Sequence, residues 1–318
     1  MKLRSGLSAL ILALAVALPS AARAQEHEPA TPLQKALGPA DIIMPHITDS
    51  KQIEWPCFKS LQEWACHSTL PTWNVHIGGK TIDMGPTKHV VFLGLSAIVS
   101  LIVLIGAARS HAKRSREVGH PKGFAAGLEA VVLYLRNEIY LPVLGPRHGA
   151  ASYIPFTLTL FFFILFCNLF GLVPWGSTAT GNLGVTATLA IITFIVVELA
   201  GIKALGAGYI GTIIYWPHDM PFIMKLLMTP IMTPVEIVGK FTKPFALTIR
   251  LFANMVAGHV IILALIGLIF MFGFKVAVFP VAMALFIMAL EIMVAFIQAF
   301  IFSLLAAVFI GQIRAAHH

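Results

Sequence analysis

Residues 280–313 read PVAMALFIMALEIMVAFIQAFIFSLLAAVFIGQI, and across these thirty-four positions Glu291 is the one side chain that can ionise. As a single helix the stretch would be roughly 51 Å long at about 1.5 Å per residue. A bilayer offers about 30 Å of hydrocarbon. Such a segment must tilt or bend in the membrane, and length alone does not fix the angle. The preceding apolar segment, Thr233 to Phe272, is longer still. If both are steeply inclined, they form a long hairpin with an extended flank, which is a reason to expect a partner within the membrane.

The rest of the chain agrees. Over 318 residues, 58% are hydrophobic and 11% charged, with a mean hydropathy of +0.86, which excludes an ordinary soluble domain. The expected class is an all-α polytopic membrane protein with about five crossings: His89 to Ala108, Tyr153 to Val173, Leu183 to Leu205, Pro244 to Phe272 and Val276 to Ile310. Arg109, Lys113, Arg114, Arg116 and Lys122 follow the first span, and Lys225, Lys240 and Lys243 precede the fourth. Positive loops stay inside. The N-terminus is therefore expected on the exported side and the C-terminus in the cytoplasm.

Residues 1–24 have the organisation of an export signal: Lys2 and Arg4, an apolar run from Leu7 to Leu18, then Ala22-Arg23-Ala24 before Gln25. The other reading is an uncleaved interfacial segment. Cleavage would lower the net charge from +8 to +5, since Lys2, Arg4 and Arg23 would leave. Residues 25–88 are then an exported segment and 89–318 the membrane domain. The exported segment contains Cys57 and Cys66, whose spacing suits either a local disulfide in an oxidising compartment or two free cysteines. Asn74 to Ile82 alternates around Gly78-Gly79 and predicts a small hairpin. Phe124, Leu128, Val131, Val132 and Leu135 recur at helical spacing, predicting an interfacial helix within 123–144. The aromatic, proline-broken stretch Tyr209 to Pro230 is also expected at the interface, and no internal repeat is present.

Ionisable groups in hydrocarbon are costly and require a reason. Glu236, Arg250, His259 and Glu291 qualify, joined by the amides Asn254 and Gln298. Arg250 and Asn254, four apart, share a helical face, whereas His259 is nine positions beyond Arg250 and points away. Glu291 and Gln298 share one face of the last helix. In an antiparallel hairpin, His259 and Glu291 can meet as a proton-exchanging pair and Gln298 can approach Arg250 and Asn254. Each has a plainer alternative. Arg250 can snorkel or pair with Glu291. His259 can be a structural histidine. Glu236 fits a capping box with Thr233 and Pro234, Glu198 and Lys203 make a nearby interfacial pair, and Cys167 packs. The chain has no phosphate-binding G-x-x-x-x-G-K-[ST], no H-E-x-x-H and no G-x-S-x-G. No cofactor, metal or nucleic acid is expected. Carboxylate and imidazole exchange protons while arginine stays charged, a set suited to ion translocation rather than to bond-making catalysis.

The run ALTIRLFANMVAGH at 246–259 resembles subunit a of the F-type ATP synthase, with Arg-Leu-Phe-x-Asn-x-x-x-Gly matched without a gap. Asn168-Leu169-Phe170-Gly171-Leu172-Val173-Pro174, Glu236 ahead of Lys243-Pro244, and Glu291 with Gln298 extend the similarity, which covers roughly Pro86 to the C-terminus. The resemblance implies a non-catalytic stator subunit in a bacterial inner membrane, surrounded by lipid. Its implied partners are a ring of c subunits, a b-subunit peripheral stalk and the remaining synthase subunits. It implies that Arg250 faces the carboxylate of each passing c subunit. It also implies that Asn254, His259, Glu291 and Gln298 line the half-channel open to the exported side, and Glu236 the one open to the cytoplasm.

Overall fold

The computed structural model describes residues 49–56, 65–77, 80–83, 85–115, 123–145, 150–173, 176–212, 214, 221–272, 275 and 277–315. The export-signal reading of 1–24 and Cys57 lie outside these residues, and Cys66 is described only through its backbone. Two antiparallel hairpins come first. β1 (Gln52–Pro56) pairs with β2 (Ala65–Thr69), setting Trp55 opposite Cys66. β3 (Asn74–Ile77) pairs with β4 (Lys80–Asp83), Asn74 opposite Asp83, which is the hairpin that the Gly-Gly alternation predicts.

Among the described residues, five helices are long and apolar enough to cross a membrane: α1 (Lys88–Ser115), α4 (Ile154–Gly171), α5 (Leu183–Leu205), α6 (Phe222–Phe272) and α7 (Val278–Ala315). The protein is a multi-pass α-helical membrane protein. Its helix starts follow local chemistry. Asn182 caps α5 by accepting from the Gly184 N–H at 2.8 Å, and Pro155 occupies the first turn of α4, where its missing N–H costs nothing. Asp49, forty residues upstream, supplies the start of α1, where the His89 N–H donates to Oδ1 at 3.2 Å.

Between α1 and α4 lies the predicted interfacial helix, built as α2 (Phe124–Tyr134), a π-helical segment Leu135–Tyr140 and α3 (Leu141–Leu144). The extra residue per turn rotates the inner face. Leu135, Tyr140 and Leu144 are buried, while Phe124 and Val131 of the expected apolar face are exposed. The Tyr140 hydroxyl lies 2.7 Å from Ser303 Oγ on α7. That bond fastens the surface element to the core.

The core is centred on α4 and α7, with α1, α5, α6 and α3 packed around them. Ala295, Ala299, Ala306 and Ala307 form a fully buried small-residue stripe on α7, and Ile164 and Cys167 of α4 are equally enclosed. Without a hydrophobic drive between helices in lipid, close backbone approach of this kind is what holds them. At Gly311 a Cβ would strike the Val143 carbonyl oxygen, so α3 and α7 meet backbone to backbone.

One expectation needs correction. Thr233 and Pro234 do not start a helix: α6 begins at Phe222 and runs through Pro230, Pro234 and Pro244. In lipid a broken backbone has no water to satisfy it, so a proline is accommodated within the helix rather than ending it. The apolar span accordingly begins at Leu226, not Pro244. The extended flank expected of the long hairpin is present. Only 11% of the most apolar window of α6 is buried, against 67% for the span that contains α4. Phe241, Phe245 and Ile249 on α6, and Phe286, Met293 and Phe296 on α7, stand exposed along one long hairpin.

Candidate functional site

The hairpin brings the mid-helix polar groups together in the order that antiparallel pairing predicts. His259, half-buried on α6, places Nδ1 3.6 Å from Glu291 Oε1, and Glu291 is buried on α7. The separation is wider than a hydrogen bond, and neither Glu291 oxygen has a hydrogen-bond partner among the described residues. Space for the carboxylate comes from Gly258, because any Cβ there would overlap Glu291 Oε1. About two turns further along α7, the Gln298 side-chain amide donates to the Arg250 backbone carbonyl at 3.5 Å.

Arg250 and Asn254 share the exposed side of α6. Among the described residues no carboxylate lies within ion-pairing distance of Arg250, so the pairing with Glu291 considered from sequence does not form. Glu291 is taken by His259 instead. Along the helix axis Arg250 is roughly 13 Å from His259 and about 15 Å from Lys240. The cation therefore stands between two separate polar groups.

The second of those groups is at the opposite end of the hairpin. Lys240 reaches Glu198 Oε2 at 3.4 Å, donates to Tyr209 Oη and Thr212 Oγ1 at 3.3 Å each, and lies 4.7 Å above the Tyr209 ring. The expected Glu198–Lys203 pair is thus corrected: Lys203 is exposed, and the partner of Glu198 comes from α6. Five residues along a helix point in different directions, whereas the α5–α6 packing brings Lys240 directly across. Glu236 is exposed beside this cluster. With Glu198, Lys240, Lys243, Thr212 and Gln312 it lines a half-open cavity of about 190 Å³ between α5, α6 and α7.

One polar hub was not legible as such. Asn168, wholly buried near the end of α4, accepts from Thr180 Oγ1 at 2.7 Å and donates to the Ala295 carbonyl at 3.4 Å. Ala295 lies one helical turn from Glu291. Asn168→Leu would remove the Thr180 acceptor and leave the Thr178 hydroxyl as its remaining partner, and we expect a loss of about 1 kcal/mol in unfolding measured in detergent micelles. An unchanged unfolding free energy would show that the hub carries no structural weight.

Fold and site together define a multi-pass membrane protein with ionisable groups held inside its helical hairpin. The comparisons with known proteins specify it further. Residues 90–311 match the family model described as ATP synthase A chain. The protein named ATP synthase subunit a of Chloroherpeton thalassium is 46% identical over 240 residues, which is 75% of this chain and 68% of that one. ATP synthase subunit a 2 of Chlorobaculum tepidum is 42% identical over 276 residues, covering 86% and 72%. ATP synthase subunit a of Anaeromyxobacter dehalogenans strain 2CP-C is 43% identical over 280 residues, covering 87% and 71%. The chain belongs to the ATP synthase A chain family.

Proposed function

We propose that this chain is the non-catalytic, proton-conducting stator subunit of an F-type ATP synthase in a bacterial inner membrane, with its N-terminus exported and its C-terminus cytoplasmic. It offers two offset half-channels to a ring of c subunits and is steadied by a b-subunit stalk. The observation that carries this reading is the position of Arg250: exposed on a sparsely buried apolar flank, without a carboxylate of its own among the described residues, and between two polar groups that do not meet.

The physics follows from that placement. An unpaired guanidinium facing hydrocarbon is costly, so a carboxylate on a neighbouring chain is its natural counter-charge. A proton bound to that carboxylate is displaced as the cation approaches, because the cation favours the ionised form. His259, Glu291, Gln298 and Asn254 serve the exported side of this exchange. Glu236, beside the Glu198–Lys240 cavity, serves the cytoplasmic side. Since Arg250 keeps its charge at any working pH, protons cannot pass straight between the two paths and must travel on the ring. Each charge crossing the membrane is worth about 2.3 kcal/mol per 100 mV, and a ring can sum many such steps.

A self-contained antiporter is the competing class, and isolation in mild detergent separates the two. The expected result is stable co-purification with a small two-helix ring protein and no proton transport by the chain alone. An isolated chain that exchanged ions in liposomes would overturn the proposal.

A further inference from the structure

The segment ahead of the membrane helices contributes to their interior. Asp49 Oδ1 lies 2.8 Å from His89 Nδ1, and Asp49 Oδ2 accepts from the Asn182 side-chain amide at 3.1 Å. His89 is almost fully buried at the start of α1. A carboxylate and an imidazole are therefore packed together where α1 and α5 begin, at the end of the bundle that the positive loops place outside. Burial pushes the Asp49 carboxyl up, but the hydrogen bonds and charge of His89 outweigh it and hold the group below the usual aspartate range. Asp49 is thus an anion at neutral pH.

From this pair, polar groups continue inward. Asn182 ends the short turn that begins at Ala179. Thr178 and Thr180 on the same loop are buried, with their hydroxyls 2.9 Å apart, and Thr180 donates to Asn168. Ser177 is also buried, with a hydroxyl that has no partner among the described residues. Asn168 then touches the Ala295 carbonyl, one turn from Glu291. Buried hydroxyls and amides are costly in hydrocarbon unless they are hydrogen-bonded, and here they lie in the space between two carboxylate–imidazole pairs.

We propose that Asp49 and His89 form the outermost proton-exchanging pair on the exported side, feeding Glu291 through the 177–182 loop and Asn168. This rests on the proposed half-channel function and extends it to a residue outside the membrane helices. A proton from the exported side binds the His89 imidazole while Asp49 compensates the charge. It leaves inward over the hydroxyls, so only N–H and O–H bonds are exchanged. The charged residues nearest the pair in the chain are Lys51, two positions after Asp49, and Lys88, next to His89; the 179–182 turn and the first turn of α5 carry none, and the remaining charges of α1 and α5, Arg109, Lys113, Arg114, Glu198 and Lys203, are at their other ends.

The test must separate this role from simple capping of α1. Asp49→Asn keeps a cap acceptor but loses the charge, and His89→Gln keeps the cap but loses the titrating ring. In proteoliposomes containing the complete synthase, each variant should lower proton flux on the order of tenfold at neutral exported-side pH. Acidification of that side should restore Asp49→Asn, whose imidazole still binds protons, and leave His89→Gln slow. If Asp49→Asn fails to assemble, His89→Gln decides alone. Wild-type flux and pH dependence in the assembled variants overturn the inference. Glu291→Gln run in parallel distinguishes the two levels: if it too conducts normally, the half-channel reading fails, and if it alone is slow, only the outer pair fails.

Discussion

Proteoliposomes carrying the synthase with Arg250→Ala are expected to make no ATP under an imposed proton gradient, while leaking protons passively. The variant removes a permanent cation from the exposed flank of α6 without disturbing the core, since Arg250 forms no ion pair among the described residues and its one recorded bond to α7 is through its backbone carbonyl. Assembly should therefore survive and coupling should not. On the proposed function, a ring carboxylate that no longer met a cation would keep its proton past the point of exchange, and a path between the half-channels would open to water. Arg250→Lys is informative beside it. A lysine ammonium can lose its proton when desolvated, whereas guanidinium does not, so partial leakage with weak synthesis is expected. Synthesis by Arg250→Ala at the normal rate would sink the assignment.

The second large effect is expected at the His259–Glu291 pair. Glu291→Gln preserves shape and removes a titrating group, and proton flux through the assembled complex should fall about a hundredfold, the lower range for a positioned proton-transfer group. Gly258→Val changes no titrating group. Its side chain would occupy the space of the Glu291 carboxylate, so a comparable fall is expected if the placement of Glu291 opposite His259 is what matters. Measuring ATP-driven proton pumping in both variants checks the pair. Normal pumping by Glu291→Gln would remove Glu291 from the path, and normal pumping by Gly258→Val would show that its position is unimportant.

Much of this arrangement is written in local sequence. Long apolar runs define spans because the bilayer imposes one length scale, and the antiparallel turn between α6 and α7 sets His259 against Glu291 from spacing alone. What escaped reading depends on the bilayer or on distant chain segments. Thr233-Pro234-Val235-Glu236 has the letters of a helix start, yet α6 passes through it because lipid offers an interrupted backbone no alternative partner. Glu198 chose Lys240 over the nearer Lys203, a choice made by α5–α6 packing. Asn168 bonds to a main-chain carbonyl 127 positions away, and main-chain acceptors leave no mark in a sequence. The β1–β2 hairpin was missed because its two strands are short and no turn signal separates them. Nothing in the 25–88 segment sets Asp49 apart, and its partner His89 reads only as the first residue of a span.

The thin burial of α6 has a mechanical consequence. Surfaces that adhere in water do so by expelling it, but lipid tails wet Phe241, Phe245 and Ile249 as well as any protein would. On the proposed function, a ring moving past this flank would exchange one apolar contact for another at nearly constant free energy. The long apolar edge of the hairpin would then work as a lubricated bearing, with Arg250 as its detent.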